Sequence, residues 1–190
     1  MAITQTYRTR VYELGSNRRG IVTPAMAEAA GVPPVELRKL AQRGALEKVG
    51  RGVYRIPFFD CDSYSDAIEA LELVGNDAYL IGESVLSMLD IGVFNPRKIE
   101  VATPHRVRRQ LPIFISLTYQ QHPLGVTVTS YQGVECESVF DALRRVNTGT
   151  LRERMLSAID ESFGMRLITS QEKNQLLKLV NSPTAKDPKK

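Results

Sequence analysis

Basic and amide side chains recur at helical spacing in the stretch PVELRKLAQR, residues 34–43. Arginine and glutamine can each make two hydrogen bonds to a single base, to guanine and adenine respectively, whereas lysine more often contacts phosphate. If Leu37 and Leu40 face a core, the 3.6-residue period turns the polar positions to the other side of the helix. Base choice is then expected mainly of Arg38 and Gln42. The side chains predicted to enter the major groove of DNA are Val35, Arg38, Lys39 and Gln42.

A second basic segment follows directly and has the pattern of a hairpin. Ala45–Val49 and Val53–Ile56 are short runs separated by Gly50-Arg51-Gly52, which predicts two strands with a tight, basic tip. Cations on such a wing are expected to meet phosphates rather than bases. The wing residues predicted to do so are Lys48, Arg51 and Arg55.

The preceding residues supply the elements that must position this basic surface. The Thr23-Pro24 pair is suited to begin a helix, with Thr23 as its cap. Ala27 and Gly31 then stand where a helix-turn-helix needs a small residue and a turn glycine. A helix over Tyr7–Ser16 and a short strand at Ile21-Val22 would complete a winged helix-turn-helix. The alternative is a small helical domain whose charged face is only solvated.

Charge is distributed unevenly along the 190 residues, although the formal net charge is only +4. Residues 1–57 carry ten Lys or Arg against four Asp or Glu, whereas residues 58–190 carry fifteen against seventeen. This asymmetry favours a polyanion as the partner of the first part and another kind of partner for the second. Four arginines close to the predicted first helix are candidates for further phosphate contacts, namely Arg8, Arg10, Arg18 and Arg19. The alternative for Arg8 and Arg10 is a disordered or solvated arm.

The remainder of the chain predicts a second, mixed domain. The break at Phe58–Ser63 places a winged domain at residues 1–57, an α+β domain at 58–182 and a disordered tail at 183–190. The fold class is therefore α+β, in which several helices pack on a small sheet. Helical patterns cover Tyr64–Val74, Val139–Val146, Leu151–Phe163 and Ser170–Val180, and strand patterns cover Ile99–Ala102, Ile113–Thr118 and Val126–Tyr131.

A short basic segment stands out within the otherwise acidic second half. Arg106, Arg108 and Arg109 follow the predicted strand Ile99–Ala102. They are either a second nucleic-acid or phosphate contact or an exposed loop between strands.

Several function classes are disfavoured by composition. No apolar run approaches the length of a membrane span and no signal peptide is evident, so a cytoplasmic protein is expected. Cys61 and Cys136, with two histidines, are too few for a disulfide framework or a zinc site, and no metal or cofactor is predicted. Hydrolase chemistry also lacks a recognisable Ser-His-Asp or Cys-His set.

Three blocks of the sequence, at residues 20–57, 79–109 and 126–146, resemble in their order the AbiEi family of bacterial antitoxins. The resemblance implies a protein that binds inverted repeats in its own promoter and neutralises a toxin with a nucleotidyltransferase fold. The family's DNA-contacting helix falls on Val35–Arg43, which adds Arg43 to the predicted contacts, and its wing falls on Lys48–Arg55. Palindromic sites imply two copies of the protein on DNA.

Two other classes of function are compatible with the sequence. The chain lacks the Gly-Ser and Asp-x-Asp order of a nucleotidyltransferase, so it is not predicted to be the toxin. The usual kinase and P-loop motifs are also missing, and only an atypical serine protein kinase acting on the toxin is retained as an enzymatic alternative. The third reading is a ligand-sensing repressor, with an anion pocket between Ile99–Ala102 and the loop through Arg109.

Overall fold

A computed structural model of the chain describes residues 6–60, 62–120 and 125–182. The predicted tail at 183–190 lies outside these ranges. Helices and strands are both present, which confirms the α+β class. The chain forms two compact units: the first runs to Ala78 and includes Arg109–Leu111, and the second comprises Tyr79–Arg108 and resumes at Pro112.

The first unit has the winged helix-turn-helix architecture that the sequence predicts. Its three-stranded antiparallel sheet has the order β1-β3-β2, in which Ile21 lies opposite Arg55 and Lys48 opposite Tyr54. Its elements are α1 (Tyr7–Ser16), β1 (Ile21–Val22), α2 (Pro24–Ala29), α3 (Pro34–Gln42), β2 (Glu47–Gly50), β3 (Val53–Arg55) and α4 (Ser63–Val74).

Local sequence signals account for the helix boundaries in this unit. The Thr23 hydroxyl accepts a hydrogen bond from the Met26 N–H, as predicted for the cap of α2. α4 begins in a capping box, in which Asp62 and Ser65 exchange hydrogen bonds. The helices and sheet enclose one apolar core, formed by Val11, Val22, Ala27, Val32, Leu37, Leu40, Leu46, Tyr54 and Ile56.

α4 belongs to the first unit, so the boundary predicted at Phe58–Ser63 lies inside that unit. Three arginines of the winged module make ion pairs with acids at or near α4, namely Arg18 with Glu72, Arg19 with Asp62 and Arg55 with Glu69. Such pairs join residues 14 to 54 positions apart, a separation that local sequence patterns do not report.

The second unit contains a five-stranded mixed sheet of order β6-β5-β4-β8-β7. The β5–β6 and β4–β8 pairs are parallel, and the β4–β5 and β7–β8 pairs are antiparallel. Its elements are β4 (Tyr79–Leu80), α5 (Glu83–Met88), β5 (Ile99–Thr103), β6 (Ile115–Tyr119), β7 (Val128–Tyr131), β8 (Val134–Glu137), α6 (Val139–Val146), α7 (Arg152–Gly164) and α8 (Ser170–Asn181).

A buried carboxylate ties three elements of the second unit together. Glu137, at the end of β8, is completely buried. One of its oxygens accepts a hydrogen bond from the Gly82 N–H at 2.6 Å, just before α5. Arg145 of α6 donates to both oxygens, with the shortest distance at 2.8 Å. These hydrogen bonds hold the pKa of the Arg145 guanidinium above its usual value.

Within the described ranges, none of the helices has the length and apolarity that a membrane crossing requires.

Candidate nucleic-acid interface

The turn between α2 and α3 fixes the orientation of the predicted recognition helix. Gly31 adopts φ of +70°, a conformation that residues with a Cβ atom rarely adopt. The Val32 N–H then donates to the Ala27 carbonyl at 2.8 Å. Leu37 and Leu40 are buried in the core, as predicted. The opposite face of α3 is consequently turned to solvent.

All five predicted contact residues of this helix are on that solvent-facing side. Val35 has 46% of its surface exposed, as single apolar residues on protein surfaces often are. Lys39 makes an exposed ion pair with Glu36 one turn earlier at 2.8 Å. In the described part of the chain, Arg38 and Arg43 have no acidic partner. The exposed set is Val35, Arg38, Lys39, Gln42 and Arg43.

The wing presents two further cations. Lys48 is exposed on β2, and Arg51 is exposed in the tip between β2 and β3. Gly52 supplies φ of +75° for the tight turn after Arg51. Neither cation forms an ion pair within residues 6–60, 62–120 and 125–182, so both are available to a polyanion.

Arg55, the third predicted wing residue, occupies a different environment. Its guanidinium donates to Glu47 at 2.9 Å and to Glu69 of α4 at 3.0 Å. Burial raises the pKa of the Glu69 carboxyl, and the nearby Arg55 charge opposes that rise. The structure therefore places Arg55 in an internal charge network, apart from the exposed cations of α3 and the wing tip.

Ion pairing also sorts the arginines near α1. Arg18 and Arg19 are paired with Glu72 and Asp62, and Arg8 stacks on the Tyr12 ring. The Nη1 atom of Arg10 instead lies 3.9 Å from the position that a Cβ atom would take on Gly31, next to the turn before α3. In the sequence these four arginines are alike in lying close to the first helix. Only the folded structure shows that Arg10 is the one next to the turn before α3.

The second basic segment is divided between the two units. Arg106 and Arg108 are exposed and belong to the second unit. Arg109 belongs to the first, where it donates to the carbonyl oxygens of Leu73 and Val74 at 2.9 and 2.7 Å. Arg109 thus satisfies carbonyl groups that the end of α4 leaves open. A nucleic-acid contact stays a prediction for Arg106 and Arg108.

Metal-ligating side chains are not grouped in the described ranges, where no three of His, Cys, Asp and Glu lie close enough to hold an ion. Cys136 is buried on β8, and desolvation raises the pKa of its thiol to about 12. A thiol with so high a pKa is a poor nucleophile and a poor metal ligand.

The fold and the exposed basic surface define a winged helix-turn-helix module joined to an α+β unit. Residues 10–57 match the model of a family described as "Transcriptional regulator, AbiEi antitoxin". This match confirms the family resemblance over residues 10–57 and supports a role as an antitoxin and transcriptional regulator.

Comparison with solved structures finds the crystal structure of the RV2827C protein from Mycobacterium tuberculosis. It is 16% identical, with a TM-score of 0.47, over 94% of this chain and 78% of that chain. No curated protein sequence matches the chain.

Because Arg55 lies in an internal network, Arg55→Ala is expected to act on stability. It should lower the free energy of unfolding by about 1–3 kcal/mol, since Glu69 would be left buried without its cation. The loss should be largest near neutral pH. Without Arg55 the pKa of Glu69 rises further, so the folded state binds the extra proton and stability falls as pH rises through that interval. Urea denaturation at several pH values measures this.

Lys48→Ala is the matched control for this experiment, because Lys48 is exposed and unpaired in the described residues. It should change stability by less than about 0.5 kcal/mol. If the deficit of Arg55→Ala did not shrink as the pH approached 4.5, the usual pKa of a glutamate, the Arg55–Glu69 pair would not be its cause.

Proposed function

We propose that this protein is an antitoxin that represses its own operon by binding inverted repeats through α3 and the wing. It also neutralises a toxin of nucleotidyltransferase fold. The observation that supports the DNA-binding part most directly is the geometry of α3. Leu37 and Leu40 anchor the helix, while Arg38 and Gln42 project together into solvent on a module of the matched family.

Arg38 and Gln42 are four residues apart, so they lie one above the other on the same face of α3. Two side chains in this relation can reach neighbouring base pairs in a major groove, which is wide enough to admit a helix. The arginine pairs with guanine and the glutamine with adenine. Sequence preference therefore resides in these two positions.

Lys48 and Arg51 on the wing contact phosphates on this proposal, and Arg10 beside the turn adds a further cation near the start of α3. Phosphate contacts position the protein and supply most of its salt dependence without reading sequence. Residues 1–57 carry a formal charge of +6, but acids at or near α4 neutralise Arg18, Arg19 and Arg55. The exposed cations of α3 and the wing tip are therefore the ones that draw the module to DNA.

The test is an affinity titration on the DNA directly upstream of the protein's own gene, against a scrambled duplex, at several salt concentrations. A specific repressor should prefer the native DNA by about a thousandfold or more. Equal, weak and strongly salt-dependent binding to both duplexes would reduce the basic surface to a non-specific anchor and overturn the repressor function.

Alanine substitution of the wing cations should separate positioning from sequence readout. Lys48→Ala and Arg51→Ala are each expected to weaken native and scrambled DNA alike. Each should also lower the slope of log affinity against log salt by about one. A loss confined to the native DNA would place these side chains at base edges instead.

Toxin neutralisation is proposed for the second part of the chain, which the sequence predicts as residues 58–182 and whose compact unit begins at Tyr79. The two activities can be separated in the full-length protein. With expression from an unrelated promoter, Arg38→Ala should lose repression and still protect cells from the toxin. Loss of protection in a folded Arg38→Ala variant would contradict this division. Mass spectrometry of the toxin recovered from these cells distinguishes a stable complex from covalent modification.

A further inference from the structure

β6 is one edge of the five-stranded sheet, and in the described residues it pairs with β5 alone. The hydrogen bonds to β5 show which way its backbone points. The Phe114 carbonyl accepts from the Ile99 N–H, and the Gln120 N–H donates to the Thr103 carbonyl. In a parallel pair the bonding residues alternate along the strand. The backbone N–H and C=O groups of the even-numbered residues of β6 therefore face β5. Those of Leu117 and Tyr119 point away from the sheet.

Apolar side chains accompany this open edge. Leu117 is 37% exposed and Tyr119 is 56% exposed, whereas their neighbours across the ladder, Val101 and Thr103, are buried. The side chain of Ile113, just before the strand, is also largely exposed. The layer that covers this face of the sheet thus buries Ile115 of β6 but leaves Leu117 and Tyr119 partly exposed.

The edge lacks the features that usually prevent strands from pairing between molecules. Natural edge strands carry lysine, proline or a bulge for this purpose. The stretch IFISLTYQ, residues 113–120, contains no charged residue and no proline, and the register with β5 is continuous from Ile99–Ile115 to Thr103–Tyr119.

We propose that β6 pairs antiparallel with β6 of a second copy of this chain, joining two sheets into one. Charge favours a second copy as the occupant. When an uncharged strand pairs with the same strand of a second copy, no like charges are brought together. An edge strand of another protein that carries a protective lysine would instead bury that charge against Leu117 and Tyr119.

A register centred on Leu117 satisfies the exposed groups of both copies. Leu117 then faces its own counterpart, and its outward N–H and C=O exchange hydrogen bonds across a two-fold axis. Tyr119 lies opposite Ile115 of the other copy on the same face. A dimer with a two-fold axis matches the symmetry of an inverted repeat. The role of this dimer on DNA rests on the proposed function, but the formation of the dimer is independent of that function.

The experiment is sedimentation equilibrium of the full-length protein at concentrations up to about 100 μM, a range that detects a micromolar Kd. The wild-type chain should be dimeric. Leu117→Lys places two like charges opposite each other and should be monomeric, with an unchanged circular dichroism spectrum. Val128→Lys, on the opposite edge strand, is the matched control and should remain dimeric.

Mixing Leu117→Lys with Leu117→Glu tests the register itself. Because residue 117 faces its own counterpart, the mixture should form a heterodimer although each variant alone is monomeric. A monomeric wild type, a dimeric Leu117→Lys variant or the failure of this mixture to associate would each overturn the proposed interface. The interface would also be overturned if the amides of β6 were protected from hydrogen exchange only when the toxin is present, at every concentration of the protein.

DNA binding distinguishes this inference from the proposed function. Leu117→Lys should bind a single half-site as the wild type does and lose at least tenfold in affinity on the full inverted repeat. A wild type that dimerises through β6 without preferring its own upstream DNA would support the interface and refute the repressor.

Discussion

Arg38→Ala is expected to weaken binding to the protein's own operator by about 1–3 kcal/mol, roughly fivefold to 150-fold in affinity. The side chain projects from α3 beside Gln42 and is expected to form two hydrogen bonds to one guanine. Binding to a scrambled duplex should change far less, because the protein contacts only the phosphates of that duplex and reads none of its bases. Fluorescence anisotropy on both duplexes, at constant salt, measures the difference.

Arg38→Lys is the control that separates charge from geometry. Lysine keeps the positive charge but lacks the planar pair of donors. The lysine variant should therefore keep the salt slope of the wild type while losing preference at one base pair, which a set of operators with single substitutions would identify. Equal losses on operator and scrambled DNA for both variants would remove Arg38 from base recognition.

Glu137→Ala should lower the free energy of unfolding by about 1–3 kcal/mol, because it leaves the buried Gly82 N–H before α5 without an acceptor. Arg145 loses both acceptor oxygens, but its side chain is 35% exposed, so water can solvate the guanidinium. Chemical denaturation followed by circular dichroism measures the loss.

Glu135→Ala is the matched control, since Glu135 lies on the same strand with an exposed side chain. Its effect should stay within about 0.5 kcal/mol. A similar small effect for Glu137→Ala would mean that Arg145 and Gly82 find other partners at little cost. Under native conditions, Glu137→Ala should leave the half-site affinity of the folded protein unchanged.

The winged module is predictable from sequence because its determinants are local. Thr23 caps the helix that begins at the next residue, Gly31 makes the turn, and Leu37 and Leu40 define the buried face over a single helix. Each signal acts over a few residues, within the reach of helical periodicity and turn chemistry. Exposure of the five predicted contact residues of α3 follows from the same periodicity.

Contacts between distant segments account for what the sequence does not predict. Arg55 looks like any other wing cation until Glu69 is folded against it. The segment Val134–Glu137 is a short strand whose last residue is a buried glutamate, and a charged residue in that position weakens the usual strand signal. Arg145, which neutralises it, lies on the following helix.

The ion pairs between the winged module and α4 have a consequence for work with isolated fragments. A fragment that ended at residue 57 would lack Asp62, Glu69 and Glu72, the acids that neutralise Arg18, Arg19 and Arg55. It would lose three ion pairs of the intact chain, although Arg55 would keep its pair with Glu47. Its attachment to any nucleic acid would be tighter and more sensitive to salt than that of the whole protein. Truncation at residue 57 would thus increase non-specific DNA binding and obscure the contribution of Arg38 to sequence specificity.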